Sequence, residues 1–315
     1  MSLLSNVSTE NLSAIRLCTG EHSAAYSTAI LVFNIVSVLA NVLHISILFT
    51  TDLPSKRNYF LILINLAVAD IVASCDLTTS YSPLLSHLPS PEFEVTSAVL
   101  QGVGMAVGLS RYSLLALASF DRYYAVCKAF QYSTSTLSNH IGKILILVWI
   151  INLALSGTLS TSPDIACLMN GKVQPNFFNW KGIVSLIVIH VFLFVSLLLT
   201  TICLTAVFKE IQRMKKRTLQ EKDQILIKTS DYIIGTIVML YASASPLFLV
   251  LICFLLKFSG REPILYVASQ IGICLQTLYG VGNIAFYAYL NPEYRLKVKK
   301  LCKSICVCKV RPIEE

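Results

Sequence analysis

Ile144-Leu145-Ile146-Leu147-Val148 is a run of five consecutive apolar residues inside a longer apolar segment at 141–161. A strand of a membrane β-barrel would alternate apolar with polar side chains, so a continuous run favours a helix that crosses a bilayer. Such a helix needs about 20 mostly apolar residues. Six further segments qualify, at 24–49, 58–82, 95–126, 182–208, 225–256 and 262–289. The sequence therefore predicts an all-α protein, a bundle of seven transmembrane helices.

The composition of the chain indicates that lipid surrounds most of it. Its 315 residues are 55% hydrophobic and 13% charged, whereas soluble domains carry about 25% charged residues. The predicted spans leave no room for a separate soluble domain. We therefore divide the chain into an extracellular N-terminus at 1–23, the bundle at 24–289, and a short amphipathic eighth helix with a cytoplasmic tail at 290–315.

The distribution of basic residues predicts the orientation. Most of the 25 lysines and arginines fall in the loop after the fifth span and in the C-terminal tail, and the positive-inside rule then places the N-terminus outside the plasma membrane. Asn6 and Asn11 begin Asn-x-Ser triplets, which are glycosylated only outside the cytoplasm. A basic inner face attracts anionic lipid, so the net charge of +8 predicts membrane lipid, and not nucleic acid, as a partner.

Short polar motifs recur at fixed places along the spans. In the first three spans they are Leu39-Ala40-Asn41-Val42, Asn65-Leu66-Ala67-Val68-Ala69-Asp70 and Asp121-Arg122-Tyr123. In the fourth, sixth and seventh spans they are Trp149, Pro246 and Asn283-Ile284-Ala285-Phe286-Tyr287. In this register the chain resembles the rhodopsin-like (class A) G-protein-coupled receptors over about 26–300, and 114–157 is most similar to their melanocortin, adenosine and cannabinoid branch.

The resemblance implies a signalling role for the inner end of the third helix. Asp121 would pair with Arg122 at rest, and activation would release Arg122 to a heterotrimeric G protein. Tyr123 and Tyr287 would belong to the same coupling machinery, and Pro246 would kink the sixth helix. The family's acidic lock falls near Leu226, with Gln224 and Lys228 close by, so the lock is expected to be absent. That absence predicts that Asp121 alone holds Arg122 and that the protein signals appreciably without ligand.

The resemblance also implies a polar core in mid-membrane, made of Asn41, Asp70, Arg111 and Asn283. In the family, the carboxylate at Asp70 and a hydroxyl on the third helix bind sodium. Here Arg111 stands in place of that hydroxyl, and a guanidinium would replace the charge of the ion. We therefore predict an Asp70–Arg111 ion pair and no sodium modulation. The alternative is that Arg111 points elsewhere and pairs with a backbone carbonyl.

The sequence does not identify the extracellular ligand. Gly104 stands where amine receptors carry an aspartate, and Gln276 and Thr277 lie near the place of the retinal lysine of opsins. Neither a monoamine nor retinal is therefore expected. With Asp76 and Met105, these residues form the candidate ligand pocket. The small residues around Gly104 are equally consistent with close helix packing.

Two groups of cysteines suggest covalent modification. The family's outer disulfide would use Cys167, but its usual partner position holds Ser97, so Cys18 becomes the candidate partner. Two free thiols are the alternative. Near the C-terminus, the cysteines among lysines are Cys302, Cys306 and Cys308. Juxtamembrane cysteines of this kind predict S-palmitoylation, with reduced thiols as the alternative.

Two functions remain open at this stage. The first is a receptor that couples an unknown extracellular ligand to a heterotrimeric G protein. The second is a receptor-like protein with constitutive or no signalling that acts in a homo- or heterodimer. Two replacements support this second function: Ala244 stands in place of the family's sixth-helix tryptophan, and Ile284 stands in place of its seventh-helix proline. An enzyme or transporter is not expected, because the sequence shows neither a catalytic triad, a metal-ligand cluster nor an internal repeat. Neither a cofactor nor a metal is predicted.

Overall fold

Helices form the described part of the chain, without a strand. The computed structural model describes residues 24–49, 57–80, 90–132, 134–159, 180–217, 235, 237–245, 248, 271–272, 274–275, 278–282, 284–285, 287–289 and 292–307. The first to fifth helices are Ala24–Phe49, Arg57–Ser80, Ser90–Cys127, Thr136–Leu159 and Trp180–Arg217. A short helix, Ala129–Tyr132, joins the third helix to the fourth, and the C-terminal helix is Pro292–Val307. The all-α prediction is confirmed.

Each of the five long helices can cross a membrane. Their apolar windows are Thr28–Phe49, Asn58–Asp76, Gly102–Cys127, Thr136–Gly157 and Ile187–Met214. The third and fifth helices each have 38 residues and extend beyond the predicted spans. The extra turns are polar, with Lys209 and Glu210 among them, so counting apolar residues gave the length of the membrane crossing but not that of the helix.

The third helix lies at the centre of the described bundle. It packs against the second, fourth and fifth helices, and 61% of its apolar window is buried, compared with 22% for the fourth helix. Leu114, Leu115 and Ala118 belong to the core that these helices share. Helices in lipid associate through close packing and polar contacts, so the third helix, with most neighbours, is best placed to hold functional residues in register.

Polar side chains on the first helix face the interior of the bundle. Asn34, Ser37, Asn41 and His44 are buried, and their spacing of three or four residues puts them on one helix face. The opposite face is apolar and exposed, as expected for contact with lipid. This arrangement brings a row of hydrogen-bonding groups against the second helix, where Ser74 Oγ donates to Ser37 Oγ at 3.0 Å.

Two side-chain hydrogen bonds attach the fourth helix to its neighbours. Trp149 Nε1 donates to Asn65 Oδ1 on the second helix at 3.1 Å. Asn152 Nδ2 donates to Ser113 Oγ on the third helix at 3.2 Å. Trp149 and Asn65 are two of the residues on which the sequence register depended, and the helices bring them into direct contact.

Candidate functional site

Asp121 and Arg122 form an ion pair at one end of the third helix, which we call the Arg122 end. Asp121 Oδ2 accepts hydrogen bonds from Arg122 Nε at 3.1 Å and from Arg122 Nη2 at 2.6 Å. The Asp121 side chain is fully buried, whereas that of Arg122 remains 27% exposed. A buried carboxylate is stable only when it is paired and hydrogen-bonded. The expected pairing is therefore present, with the guanidinium close to the surface.

The other oxygen of Asp121 is bonded to the connection that follows the third helix. Tyr132, the last residue of the short helix, donates its hydroxyl to Asp121 Oδ1 at 2.6 Å. Burial and this hydrogen bond raise the pKa of Tyr132 to about 12, so the hydroxyl keeps its proton at neutral pH. Both oxygens of Asp121 are thus satisfied, which fixes the connection relative to the third helix.

The expectation that Asp121 alone holds Arg122 is wrong. Arg122 Cζ lies 4.1 Å from the centroid of the Tyr59 ring, on the second helix. This distance is well inside the range of about 6 Å over which a guanidinium is attracted to an aromatic face. The second helix therefore contributes directly to holding Arg122.

Tyr123 and Tyr287, the other two predicted coupling residues, lie in different surroundings. Tyr123 packs against an apolar cluster of the fifth helix that contains Leu204, Val207 and Ile211. Tyr287 makes edge contacts with the rings of His44 and Tyr294, with centroid distances of 5.6 and 5.2 Å. Tyr287 therefore joins an aromatic cluster with His44 and Tyr294, and it also packs against the apolar core to which Tyr59 belongs.

This aromatic cluster joins three segments of the chain. His44 Nδ1 and the Tyr294 hydroxyl are 2.9 Å apart, at hydrogen-bond distance, and Tyr287 packs against both rings. His44 lies near the end of the first helix, Tyr287 in the seventh span and Tyr294 in the C-terminal helix. The contact docks the C-terminal helix against the first helix.

A second ion pair, between Asp70 and Arg111, lies in the middle of the bundle. Arg111 Nε is 2.7 Å from Asp70 Oδ1, and the two side chains are 10% and 6% exposed. The backbone of Gly280 packs against the carboxylate, since a Cβ at that position would lie 2.8 Å from Asp70 Oδ2. The predicted pairing is thus present, and it leaves no room for a side chain at Gly280.

The structure assembles the rest of the polar core only in part. Asn41 donates its side-chain amide to Ser37 O at 2.9 Å, which is a contact within its own helix. Tyr279 is buried next to Gly280. Asn283, the fourth predicted member, lies outside the described residues.

The candidate ligand pocket is likewise described in part. A Cβ at Gly104 would clash with the Asp76 carboxylate, so the second and third helices approach closely there. Met105 follows and is partly buried. Gln276 and Thr277 lie outside the described residues. The contact of Asp76 with Gly104 favours the packing interpretation of the small residues in the third helix.

The comparison with protein families agrees with this arrangement of helices and polar contacts. The model of the 7 transmembrane receptor (rhodopsin family) matches residues 22–283. The chain belongs to this family. The receptor is also similar to human olfactory receptor 2K2, with 25% identity over 296 residues that cover 87% of this chain and 88% of that protein. It is therefore a multi-pass membrane receptor with the seven-helix fold of the family.

Several other predictions about the receptor remain predictions. The similarity of 114–157 to the melanocortin, adenosine and cannabinoid branch is one of them. The predicted modification and kink residues outside the described part of the chain are Asn6, Asn11, Cys18, Cys167, Pro246 and Cys308. Cys302 and Cys306 lie on the C-terminal helix.

Four aromatic or histidine residues of the two groups of contacts, and of the short helix beside them, were missed in the sequence of the receptor. They are His44, Tyr59, Phe130 and Tyr132. Phe130, in the short helix, is fully exposed. The contacts of His44 with Tyr294 and of Tyr59 with Arg122 join segments that are distant along the chain. Tyr132, only 11 residues after Asp121, was the one a local search for hydroxyl partners could have found.

Proposed function

We propose that the receptor transmits the binding of an extracellular ligand to a heterotrimeric G protein through Arg122. The N-terminus is extracellular, the receptor acts in the plasma membrane, and the Arg122 end faces the cytoplasm. The observation that carries the proposal is the position of Arg122, paired with Asp121 at 2.6 Å and still 27% exposed. A guanidinium has five N–H donors, and two of its nitrogens donate to Asp121. Once released, it can donate to carbonyl or carboxylate groups of a partner.

The exposed ring of Phe130 supports a docking surface beside Arg122. Phe130 is fully exposed on the short helix, and Lys128, Ala129 and Gln131 around it are exposed as well. The Tyr132–Asp121 hydrogen bond holds this helix against the third helix. A single exposed apolar side chain is ordinary on a protein surface, so the support comes from the place of Phe130 on a helix that is bonded to Asp121, the partner of Arg122. Phe130 would enter an apolar pocket of the G protein while Arg122 makes the polar contacts.

The ligand is neither a monoamine nor retinal, because Gly104 carries no charged side chain and no lysine is available at Gln276 or Thr277. Asp76 is the acidic member of the candidate pocket, and its close approach to Gly104 leaves little space between the second and third helices. A ligand would therefore enter on the other side of the third helix, near Met105.

A second candidate function is a receptor-like protein with little or no response of its own, which acts as a dimer partner. The restraint of Arg122 from two sides, by Asp121 and by the Tyr59 ring, favours this candidate. It predicts no G-protein recruitment by this receptor expressed alone.

G-protein recruitment in living cells tests the proposal. The assay measures energy transfer between the receptor and each G-protein class, with and without a broad ligand panel. We expect Arg122→Ala to lower recruitment by about tenfold or more, since charge-assisted hydrogen bonds are lost. Lys143→Ala is the control, because it removes an exposed cation from the fourth helix. It should change recruitment by less than about twofold, since most surface substitutions have small effects.

Recruitment that survives Arg122→Ala at equal surface expression would refute the coupling role of Arg122. If the wild type recruits no G protein in any condition, the dimer-partner function is favoured instead. Co-expression with a signalling receptor then becomes the relevant measurement.

A further inference from the structure

Tyr59, on the second helix, contacts Arg122 in addition to Asp121. Tyr59 belongs to the first turn of the second helix and is buried in the apolar core of the bundle. Its ring centroid is 4.1 Å from Arg122 Cζ. The planar guanidinium is the cation best suited to lie on an aromatic face, because it is weakly hydrated and can stack on the ring.

The position of the Tyr59 ring is itself fixed by its neighbour. Asn58 Nδ2 donates to Ser138 O at 3.0 Å and to Ser138 Oγ at 3.2 Å. These bonds attach the start of the second helix to the start of the fourth. The ring therefore cannot leave Arg122 by a local rotation of the helix end without breaking this attachment.

The two contacts of Arg122 restrain different movements. Asp121 lies next to Arg122 in the same helix, so their ion pair holds the guanidinium back along the third helix. Tyr59 is on another helix, so its contact links the second and third helices. Movement of Arg122 toward a partner must break both contacts.

We propose that Tyr59 is a positioning residue that locks Arg122 in the resting receptor, in place of the family's acidic lock, whose position near Leu226 is not acidic here. This inference rests on the proposed coupling function. It reverses the expectation from the sequence, because a receptor with this aromatic lock signals little without ligand. Activation separates the Tyr59 ring from the guanidinium and frees Arg122.

Two substitutions separate the ring from the hydroxyl of Tyr59. Tyr59→Phe keeps the aromatic face, and Tyr59→Leu removes it while keeping an apolar side chain. We expect ligand-free G-protein recruitment per surface receptor to rise about fivefold in Tyr59→Leu, as follows for a cation–aromatic contact of a guanidinium that is partly exposed. Ligand-free recruitment by Tyr59→Phe should stay within about twofold of that by the wild type, because phenylalanine keeps the aromatic face. Tyr289→Leu, which replaces an exposed tyrosine, is the matched control.

A double-mutant cycle tests the contact without using G-protein signalling. Unfolding of the purified receptor in detergent is measured for Tyr59→Leu, Arg122→Met and the double variant. If the two single effects were independent, their product would give the unfolding equilibrium constant of the double variant. We expect the measured constant to be about fivefold smaller than that product, which means a more stable double variant. Independent effects would overturn the inference, whatever the signalling assay gives.

The remaining outcomes are also decisive. Equal ligand-free recruitment in Tyr59→Leu and the wild type, in a receptor that does recruit with ligand, overturns the lock even if the cycle shows coupling. A rise of the same size in Tyr59→Phe overturns the role of the aromatic face. If no variant recruits a G protein under any condition, the proposed function fails, while a coupled cycle still supports the Tyr59–Arg122 contact.

Discussion

Replacing Arg111 by methionine leaves the Asp70 carboxylate buried without its charge partner. The two side chains are 2.7 Å apart and no more than 10% exposed, so water can solvate neither charge well. Methionine retains much of the apolar stem of arginine, and the substitution therefore removes mainly the charge. We expect Arg111→Met to be among the most destabilising single substitutions in the bundle.

The size of the effect follows from the burial of both groups. Removal of one partner from a buried ion pair typically costs about 3–5 kcal/mol. Insertion of one charged residue at the centre of a membrane helix costs about 2.5–3.5 kcal/mol, which agrees with that range. The unfolding equilibrium constant should thus rise by about 10² to 10³·⁵. Asp70→Asn, which removes the carboxylate that pairs with Arg111, should have a similar effect.

The double variant Asp70→Asn/Arg111→Met provides the test, because it removes both charges. Replacement of a whole buried pair by neutral groups is often close to neutral in stability. We therefore expect the double variant to be more stable than either single variant when unfolding is measured in detergent. A double variant whose loss of stability equals the sum of the two single losses would refute the reasoning.

Three further predictions concern the same two ion pairs. Gly280→Ala places a methyl group 2.8 Å from the Asp70 carboxylate and should lower the unfolding free energy by about 1–3 kcal/mol. Gly142→Ala, which has open space around it, should leave the unfolding free energy unchanged. Equal effects of the two substitutions would contradict the close packing of Gly280 against Asp70. The unfolding temperature should be the same in sodium chloride and choline chloride and become sodium-dependent in Arg111→Ser, and a sodium response of the wild type would disprove the exclusion of the ion. The pKa of Tyr132 is raised to about 12 in the folded receptor, against about 10 when unfolded. The hydroxyl therefore keeps its proton, and its stabilising hydrogen bond to Asp121, below pH 10. This stabilisation is lost only as the pH rises toward 12. Tyr132→Phe should therefore destabilise the receptor equally at pH 6 and pH 8, and a clear difference between the two would argue against this assignment.

The membrane crossings and the two ion pairs could be predicted from the sequence for different reasons. The crossings follow from apolar runs of sufficient length, and Asp121 is adjacent to Arg122. The Asp70–Arg111 pair required the family register, because the two residues are on different helices. Once an arginine is buried next to a carboxylate in lipid, few other arrangements satisfy both charges.

The aromatic contacts of Arg122 and of His44 could not be predicted in this way. Tyr59 and Arg122 are separated by most of two helices, and which face of a tyrosine meets a guanidinium depends on helix rotation. His44 and Tyr294 are 250 residues apart. An aromatic residue near a helix end is common in membrane proteins, so the sequence carries no signal that distinguishes a lock from an interfacial anchor.

The buried Arg111 also affects how the receptor is made. The third helix has the lowest mean hydropathy of the five described crossings, 1.4, and a central arginine makes its entry into the bilayer during synthesis less favourable. The second helix emerges from the ribosome first and carries Asp70. Neutralisation of Arg111 by Asp70 of the second helix compensates for that cost. The second and third helices should therefore enter the membrane as a hairpin, and loss of Asp70 would reduce correctly inserted protein before it affects any signal.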